Sequence, residues 1–499
     1  MLRRVLIANR GEIAVRVIRA CRELGIPSVA VYSEADADAP HVTLADTAVC
    51  IGPPPAHESY LNVQAIIAAA RTTGADAIHP GYGFLSENAD FAQACADAGL
   101  IFVGPPGSVI RTMGSKIGAR EVMRAAGVPI VPGETPKQQT DGAIANVIQR
   151  VGLPALVKAS AGGGGRGMRI VRHAREIAAA IDAARSEAIR AFADGTLYVE
   201  RLIDHPRHLE VQILADQHGA IVHLFERDCS LQRRHQKVVE ESPAPRLSPI
   251  VRDRLTHAAV AAARAAGYVN AGTIEFILEG DGTKDDAQFY FLEMNTRLQV
   301  EHPVTEAVTG IDLVHAQLRI AAGEPLGFTQ HDIVQRGHAV ECRIYAEDPS
   351  NGMLPQSGRI LAYREPAGAG IRVDSGVCQG QTISVHYDPM LAKVITFSDS
   401  RDAALATAAL ALEDFTILGL RHNVPFLHAL VTHPDVCDAR VDTDFIDAHL
   451  AELTAPADDE LAAAAAAMAA FVAAPLASSP TVGAKKKPDP WQTLGRVDW

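Results

Sequence analysis

Lysine is scarce: the 499-residue chain has nine, against 37 arginines, and three of the nine stand together at 485–487. Tryptophan occurs only at 491 and 499. Seven cysteines (21, 50, 95, 229, 342, 378 and 437) are scattered, odd in number and free of any Cys-x-x-Cys pair. That pattern excludes a structural zinc knuckle and fits a reducing compartment. A net charge of −13 argues against a nucleic-acid surface. The apolar run in residues 1–9 is too short for a signal peptide. Residues 461–477 are apolar but mostly alanine, with Pro475 inside and Asp458, Asp459 and Glu460 ahead. They read as an Ala-rich helix with acids at its positive end, not as a membrane span. The expectation is a cytoplasmic protein without membrane or nucleic-acid partners. Two motifs are also missing. No Gly-x-Gly-x-x-Gly follows the first strand-like run, which disfavours an NAD-linked dehydrogenase, and no Gly-Lys-Ser/Thr closes the later glycine loop, so it is not a Walker A loop. Internal repeats are absent as well.

What is present has the periodicity of a multidomain α/β and α+β protein, and the length suits two to four domains. Residues 1–110 alternate β-branched runs (5–8, 28–32, 77–78, 101–103) with amphipathic helical patterns such as 13–24, as a parallel α/β unit does. A helix near 117–126, a strand at 155–158 and the loop 160–167 follow, then a strand at 168–171 and a helix over 175–192. Long helices are expected at 250–266 and 312–322, and mixed strands over 335–445 end in a helix near 401–412.

Where ordinary positive charges are nearly all arginine, an internal lysine invites a question. Lys116, Lys158, Lys237 and Lys393 lie beside apolar or glycine-rich runs, and a compact ammonium suits an oxyanion. The glycine loop offers a row of backbone N–H groups with Arg166 among them, able to wrap a triphosphate as a lid or else to serve as a flexible linker. Glu226–Glu241 is dense in hydrogen-bond donors; taken alone it reads as a solvated charged loop leading to a helix-like stretch.

The most informative run is 291–302. In an extended strand Glu293, Asn295, Arg297, Gln299 and Glu301 share one face, with Met294, Leu298 and Val300 on the other. Folding 272–278 back on it about residue 284 places Glu275 opposite Glu293. Facing carboxylates destabilise a strand pair unless a cation sits between them. Asn295 would add a third oxygen, and such a ligand set suits Mg²⁺ or Mn²⁺ shared with a nucleotide's phosphates. The plain alternative is an exposed hairpin face with incidental charges.

Glycine loop, charged segment and hairpin occur in the order found in ATP-grasp ligases. The runs 7–14, 79–88, 158–168, 226–241, 291–305 and 337–343 closely resemble those of biotin carboxylases, and the resemblance covers roughly 1–450. It implies an N-terminal α/β domain (1–114), an ATP-grasp domain (115–330) with a lid at about 130–202, a C-terminal domain (331–450) and a tail (451–499). It further implies that ATP and bicarbonate give carboxyphosphate and ADP, and that the carboxyl group then passes to N1′ of biotin.

By position, the resemblance assigns ATP contacts to Lys116, Lys158, Gly164, Gly165, Arg166, Gly167, Glu200, Ile203, His208, Gln232, His235, Glu275 and Glu293. The metal set is Glu275, Glu293 and Asn295, for Mg²⁺ or Mn²⁺ and two ions in all. By the same resemblance Lys237, Arg297 and the backbone of Val300 match the bicarbonate site, and Glu301 is similar to the base that deprotonates it. Arg343 resembles the residue that steadies the biotin enolate, and Tyr82 resembles one that touches biotin. A biotin-accepting Met-Lys-Met is absent; residues 388–393 resemble one only superficially. Biotin is therefore expected on a biotin carboxyl carrier protein or domain, with a carboxyltransferase subunit as a second partner, or else the chain is a piece of a longer one. A homodimer is expected. The runs 343–349 and 384–390 and the ending 489–491 lean towards subunits of methylcrotonoyl- or propionyl-CoA carboxylases. Two other readings stay open: a different ATP-grasp ligase of carboxyaminoimidazole or carbamoyl-phosphate type, and a catalytically silent subunit. The latter would be expected to lose some of Glu275, Glu293, Asn295, Arg297 and Glu301, and all five stand here.

Replacing Glu301 with Gln is predicted to leave ATP binding intact and to cut bicarbonate-dependent ATP cleavage by roughly 10²-fold or more. Near-normal turnover of that variant would remove Glu301 from its role as base.

Overall fold

The computed structural model describes residues 2–160, 168–192 and 194–455. The loop residues Gly164, Gly165, Arg166 and Gly167, the Ala-rich 461–477 run and the 489–491 segment lie outside the described residues.

The N-terminal part is a parallel sheet of five strands: β1 (Val5–Ile7), β2 (Ser28–Ser33), β3 (Thr47–Gly52), β4 (Ala77–His79) and β5 (Ile101–Phe102), in the order β3-β2-β1-β4-β5. All three residues of β1 are buried, as in a strand covered on both faces. The connecting helices stop where their sequences say they should. Val63–Thr73, for example, starts at Asn62, whose side chain accepts from the Ala65 N–H, and ends at Gly74 with φ +69°.

A second sheet is antiparallel, with β6 (Gly133–Glu134), β7 (Ala155–Ala159), β8 (Met168–Val171) and β9 (Leu197–Arg201) in the order β6-β9-β7-β8. Pairing of Lys158 with Met168 closes the strands at the mouth of the glycine loop.

The third sheet holds several of the residues that the sequence singles out. Its strands β10 (Arg207–Ala215), β11 (Ile221–Arg233), β12 (Gln236–Ser242), β13 (Asn270–Leu278), β14 (Phe289–Asn295) and β15 (His338–Tyr345) are joined by the strands Met390–Ser398 and Ile371–Ser375. The order is β14-β13-β10-β11-β12-β15, then Met390–Ser398 and Ile371–Ser375 at the far edge. One sheet thus runs from the hairpin through to the residues after 330, and apolar clusters lie along it. The expected helices are present at Gly11–Glu23, Lys116–Ala125, Ile177–Phe192, Pro249–Ala266, Leu313–Ala321 and Arg401–Asp414.

Two expectations need correction. Glu226–Glu241 is not a solvated loop leading to a helix. It is the buried hairpin β11–β12, turning at Arg234 and His235 with φ of +49° and +65°. Its charges are tolerated inside because each has a partner on a neighbouring element. Asp228 meets Arg207 at 2.5 Å, Glu226 meets Arg252 at 2.8 Å, and Glu241 meets His338 at 2.6 Å and Arg401 at 2.7 Å. Charge density along the chain carries no information about such cross-strand partners.

The second correction is that β14 ends at Asn295. Residues 296–301 form a turn that leads into the helix His302–Thr309, with Glu301 as its N-cap residue and Pro303 in its first turn. The five polar residues therefore do not lie along one strand face.

Glu241 ties the helix Arg401–Asp414 to the sheet. Burial raises its carboxyl, but His338 and Arg401 hold it down to about 2. The folded value lies below the unfolded one, so this stabilisation is complete above about pH 4.5 and is lost as pH falls towards 2. Glu241→Gln is predicted to be less stable than the parent at pH 7 by roughly 3 kcal/mol. That gap should narrow below pH 4 when urea unfolding is followed across the range; a gap independent of pH would contradict it.

Candidate active site

Alternation in β10 places His208, Glu210 and Gln212 between the buried apolar Leu209, Val211 and Ile213. Glu210 lies opposite Glu275 on β13 on one side and opposite Arg227 on β11 on the other. Across the hairpin Glu275 pairs with Glu293, as the fold-back about residue 284 predicts, and a register shift follows between Glu275 and Phe276.

At the centre stands Lys237. Its Nζ lies 2.5 Å from Glu210 Oε2, 2.7 Å from Glu275 Oε1 and 2.6 Å from Glu301 Oε1. The other oxygen of Glu301 accepts from Arg343 Nη2 at 2.8 Å, and Arg343 also binds Glu240 at 2.6 Å through Nε. Fully buried Arg227 donates to Glu210 at 2.5 Å, to Gln212 at 2.8 Å, to Thr305 at 2.9 Å and to Thr273 at 3.1 Å. Gln299 Nε2 reaches Glu275 at 3.0 Å and Glu210 at 3.4 Å.

Burial raises every carboxyl here, and the cations decide which stay ionised. Lys237 leads in bringing Glu275 and Glu301 well below the usual carboxylate range. Burial wins at Glu210, against Arg227, and at Glu240, which is pushed up to about 7. His208 Nε2 lies 3.0 Å from Glu275 Oε2; burial lowers this imidazole, and Glu275 more than reverses that.

The other predicted residues surround this core. Lys158 is buried on β7 with Nζ 2.6 Å from Glu200 Oε2, and Arg120 pairs with the second Glu200 oxygen. In this state Glu200 serves as their counter-ion. Lys116 opens its helix, its ammonium lowered by burial and by Lys158 and raised by Glu293 and Glu200. Ile203 is buried, Gln232 pairs in register with Lys237, and His235 is exposed at the hairpin tip. Arg297 Nε donates to Glu87 Oε2 at 2.9 Å and its Nη2 to Asn295 Oδ1 at 3.0 Å. Tyr82 is not joined to Arg343: its hydroxyl donates to Glu12.

For the metal set, Asn295 Nδ2 donates to Glu275 at 2.9 Å, so in this rotamer its oxygen faces Arg297. Glu293 is the clearer sign of a cation. Burial, Glu275 and Glu87 all raise it, and only Lys116 and Lys237 oppose them. A divalent ion held by Glu275 and Glu293 would supply the missing counter-charge, and the carboxylate and amide oxygens present fit Mg²⁺ or Mn²⁺.

Four site residues were not picked out by sequence reasoning: Glu87, Glu210, Arg227 and Glu240. The alternation of His208, Glu210 and Gln212 was a readable signal for Glu210. Glu87 and Glu240 carry no such local mark, and Arg227 was hidden within the charged segment. Gln299, which had no assigned role, binds the central carboxylates.

Antiparallel strands flanking a glycine-rich segment, a strand pair with facing acids, and buried lysines bound to carboxylates on other strands define an ATP-grasp ligase. Family models agree in three adjoining pieces: biotin carboxylase, N-terminal domain (residues 1–110), carbamoyl-phosphate synthase L chain, ATP binding domain (115–329), and biotin carboxylase C-terminal domain (341–448). Biotin carboxylase 1 of Bacillus subtilis is 49% identical over 449 residues, covering 90% of this chain and 99% of that one. The mitochondrial methylcrotonoyl-CoA carboxylase subunit alpha of Mus musculus is 51% identical over 451 residues, and the match takes in 90% of this chain and 62% of the relative. The chain thus spans less than two thirds of that relative's length.

Among solved structures, the biotin carboxylase domain dimer of Hydrogenobacter thermophilus 2-oxoglutarate carboxylase, in complex with MgADP, ADP and bicarbonate, superposes with TM-score 0.87 at 44% identity. That match covers 92% of this chain and all of the other. Campylobacter jejuni biotin carboxylase gives 0.86 at 44%, over 90% and 99%. The chain belongs to the biotin carboxylase family.

Arg227 anchors the cluster from below. Arg227→Met is predicted to destabilise the fold by about 3–5 kcal/mol, because Glu210 loses one of its two buried basic partners and keeps only the shared Lys237. Equilibrium denaturation measures this, and a change within 1 kcal/mol would show the pair to be dispensable.

Proposed function

We propose that this chain carries out the ATP-dependent carboxylation of biotin with bicarbonate, as the first half-reaction of an acyl-CoA carboxylase. One observation carries the reading. A single buried ammonium, Lys237, touches both Glu275 of the acidic hairpin and Glu301, whose other oxygen is held by Arg343. Phosphate chemistry at the hairpin and carboxyl chemistry at Arg343 thus share one charged centre.

In this reading Lys116, Lys158 and His208, with the glycine loop, hold and align the nucleotide. Glu275, Glu293 and Asn295 hold the divalent ions, which when bound neutralise phosphate charge and align the transferring group. Bicarbonate sits against Lys237, Arg297 and the Val300 backbone, where its oxygen attacks the γ-phosphorus to give carboxyphosphate and ADP. Glu301 is ionised at neutral pH because Lys237 and Arg343 oppose the effect of burial. An anion entering beside Lys237 draws that ammonium away from Glu301 and raises its basicity, so the carboxylate takes the bicarbonate proton as it is needed. Arg343 then steadies the negative charge that develops on biotin when the carboxyl group passes to N1′, and Tyr82 borders that end.

The division at 114/115, 330/331 and 450/451 belongs to the same proposal, supported by where the three family models begin and end. So do a biotin carboxyl carrier protein or domain and a carboxyltransferase subunit as partners, a homodimer, and a cytoplasmic setting. Seven free cysteines suit a reducing compartment, and among the described residues no helix is long and apolar enough to cross a membrane. The methylcrotonoyl-CoA carboxylase relatives support an acyl-CoA acceptor of that type.

ADP release from Mg-ATP is predicted to rise when bicarbonate and free biotin are both supplied. Lack of stimulation by either would turn the reading to a different ATP-grasp ligase or to a catalytically silent subunit.

A further inference from the structure

Lys393 is fully buried on the strand Met390–Ser398, directly across from Arg343 on β15, and no step described so far uses it. Its Nζ donates to the backbone oxygen of Val300 at 2.6 Å and lies 3.4 Å from Glu12 Oε1. Glu12 in turn accepts from the Tyr82 hydroxyl and leaves its other oxygen buried without a hydrogen bond. Tyr82, Glu12, Lys393 and Val300 thus form a continuous line behind the active site.

The Val300 carbonyl needs such a donor. In the turn that replaces the expected strand, Gln299 O accepts from the His302 N–H and Glu301 O from the Val304 N–H. Val300 precedes the N-cap residue, so the helix has no donor for its oxygen. Lys393 supplies one from the other side of the sheet. The approach is built tightly: a side chain on Gly376 would meet Glu12 N at 2.5 Å or less, so the segment after Ile371–Ser375 rests on the start of the helix that carries Glu12.

We propose that Lys393 is a positioning residue of the bicarbonate site. By holding the Val300–Glu301 peptide plane from behind, it fixes the Val300 backbone against the anion and aims the Glu301 carboxylate between Lys237 and Arg343. Glu12 keeps the ammonium in place. Charge on Lys393 also matters to its surroundings, because Glu341, Glu12 and Asp374 all face it, with Arg372 beyond Asp374. The inference rests on the placement of bicarbonate given above.

The test compares Lys393→Met and Glu12→Gln with the parent in bicarbonate-dependent ADP release, with nucleotide binding measured separately by a fluorescent ATP analogue in Mg²⁺. Lys393→Met is expected to raise KM for bicarbonate ~10-fold or more and to leave nucleotide affinity within ~2-fold; Glu12→Gln is expected to show the same split more weakly, ~3-fold. Unchanged bicarbonate KM in Lys393→Met overturns the inference, as does a parallel loss of nucleotide affinity, which would mark a merely structural role. If Lys393→Met does not fold, Glu12→Gln decides, and an unchanged bicarbonate KM there overturns it. A parent enzyme whose ADP release ignores bicarbonate would instead overturn the functional reading itself.

Discussion

Three carboxylates from two strands and a turn converge on the Lys237 ammonium, and the arrangement around them follows from the need to keep that cluster neutral inside the protein. Glu210, Glu275 and Glu301 come from β10, β13 and the turn before the helix His302–Thr309, so their mutual repulsion would push apart the elements that form the site. One ammonium cannot cancel three carboxylates. Arg227 takes the far oxygen of Glu210, Arg343 that of Glu301, and His208 stands beside that of Glu275. Each carboxylate is thus held between two basic groups, which is the condition under which burial of charge is tolerable.

The balance is close but not complete. Adding Glu240 and the half-buried Glu293 leaves the acids in excess, and the deficit shows where desolvation wins, with Glu240, Glu210 and Glu293 all raised. A site short of positive charge at Glu293 is suited to gain a divalent ion. At the opposite end the deficit is met by Arg343, the residue assigned to a negative charge on biotin. Fold stability and the proposed chemistry therefore draw on the same cations, and a substitution at one of them should disturb both.

Sequence periodicity revealed the sheet hairpin well. Glu275 does pair with Glu293, because alternation and a turn centre are enough to set the register of two adjacent strands. The same method failed beyond Asn295, where Glu301 is the N-cap of a helix whose first turn contains Pro303; continued alternation from 297 to 301 mimicked a strand that the helix start had already ended. It failed again at 226–241, for a different reason. Charge density predicts solvent only when partners are unknown, and Arg207, Arg252, His338 and Arg401 lie between 21 and 160 residues from the acids they meet. Glu87 reaches Arg297 across 210 residues and left no local trace for the same reason.

The scarcity of lysine, by contrast, was informative. Lys158, Lys237 and Lys393 are buried and Lys116 lies close to them in charge, while arginine serves most of the surface. Physical size explains the division. A guanidinium needs a planar slot with several acceptors, as Arg227 and Arg343 have, whereas the space between Glu12 and the Val300 carbonyl, or among the three acids at Lys237, accepts a compact ammonium. The turn at 296–301 makes the second requirement sharper. A strand would have carried the Val300 carbonyl to a neighbouring strand's N–H; by leaving the sheet to become a helix entrance, the chain freed that oxygen and turned Glu301 towards Lys237. The feature that broke the strand pattern is thus the one that brings the proposed base to the Lys237 cluster, and a buried lysine on another strand of the same sheet compensates for the hydrogen bond that the strand would have made.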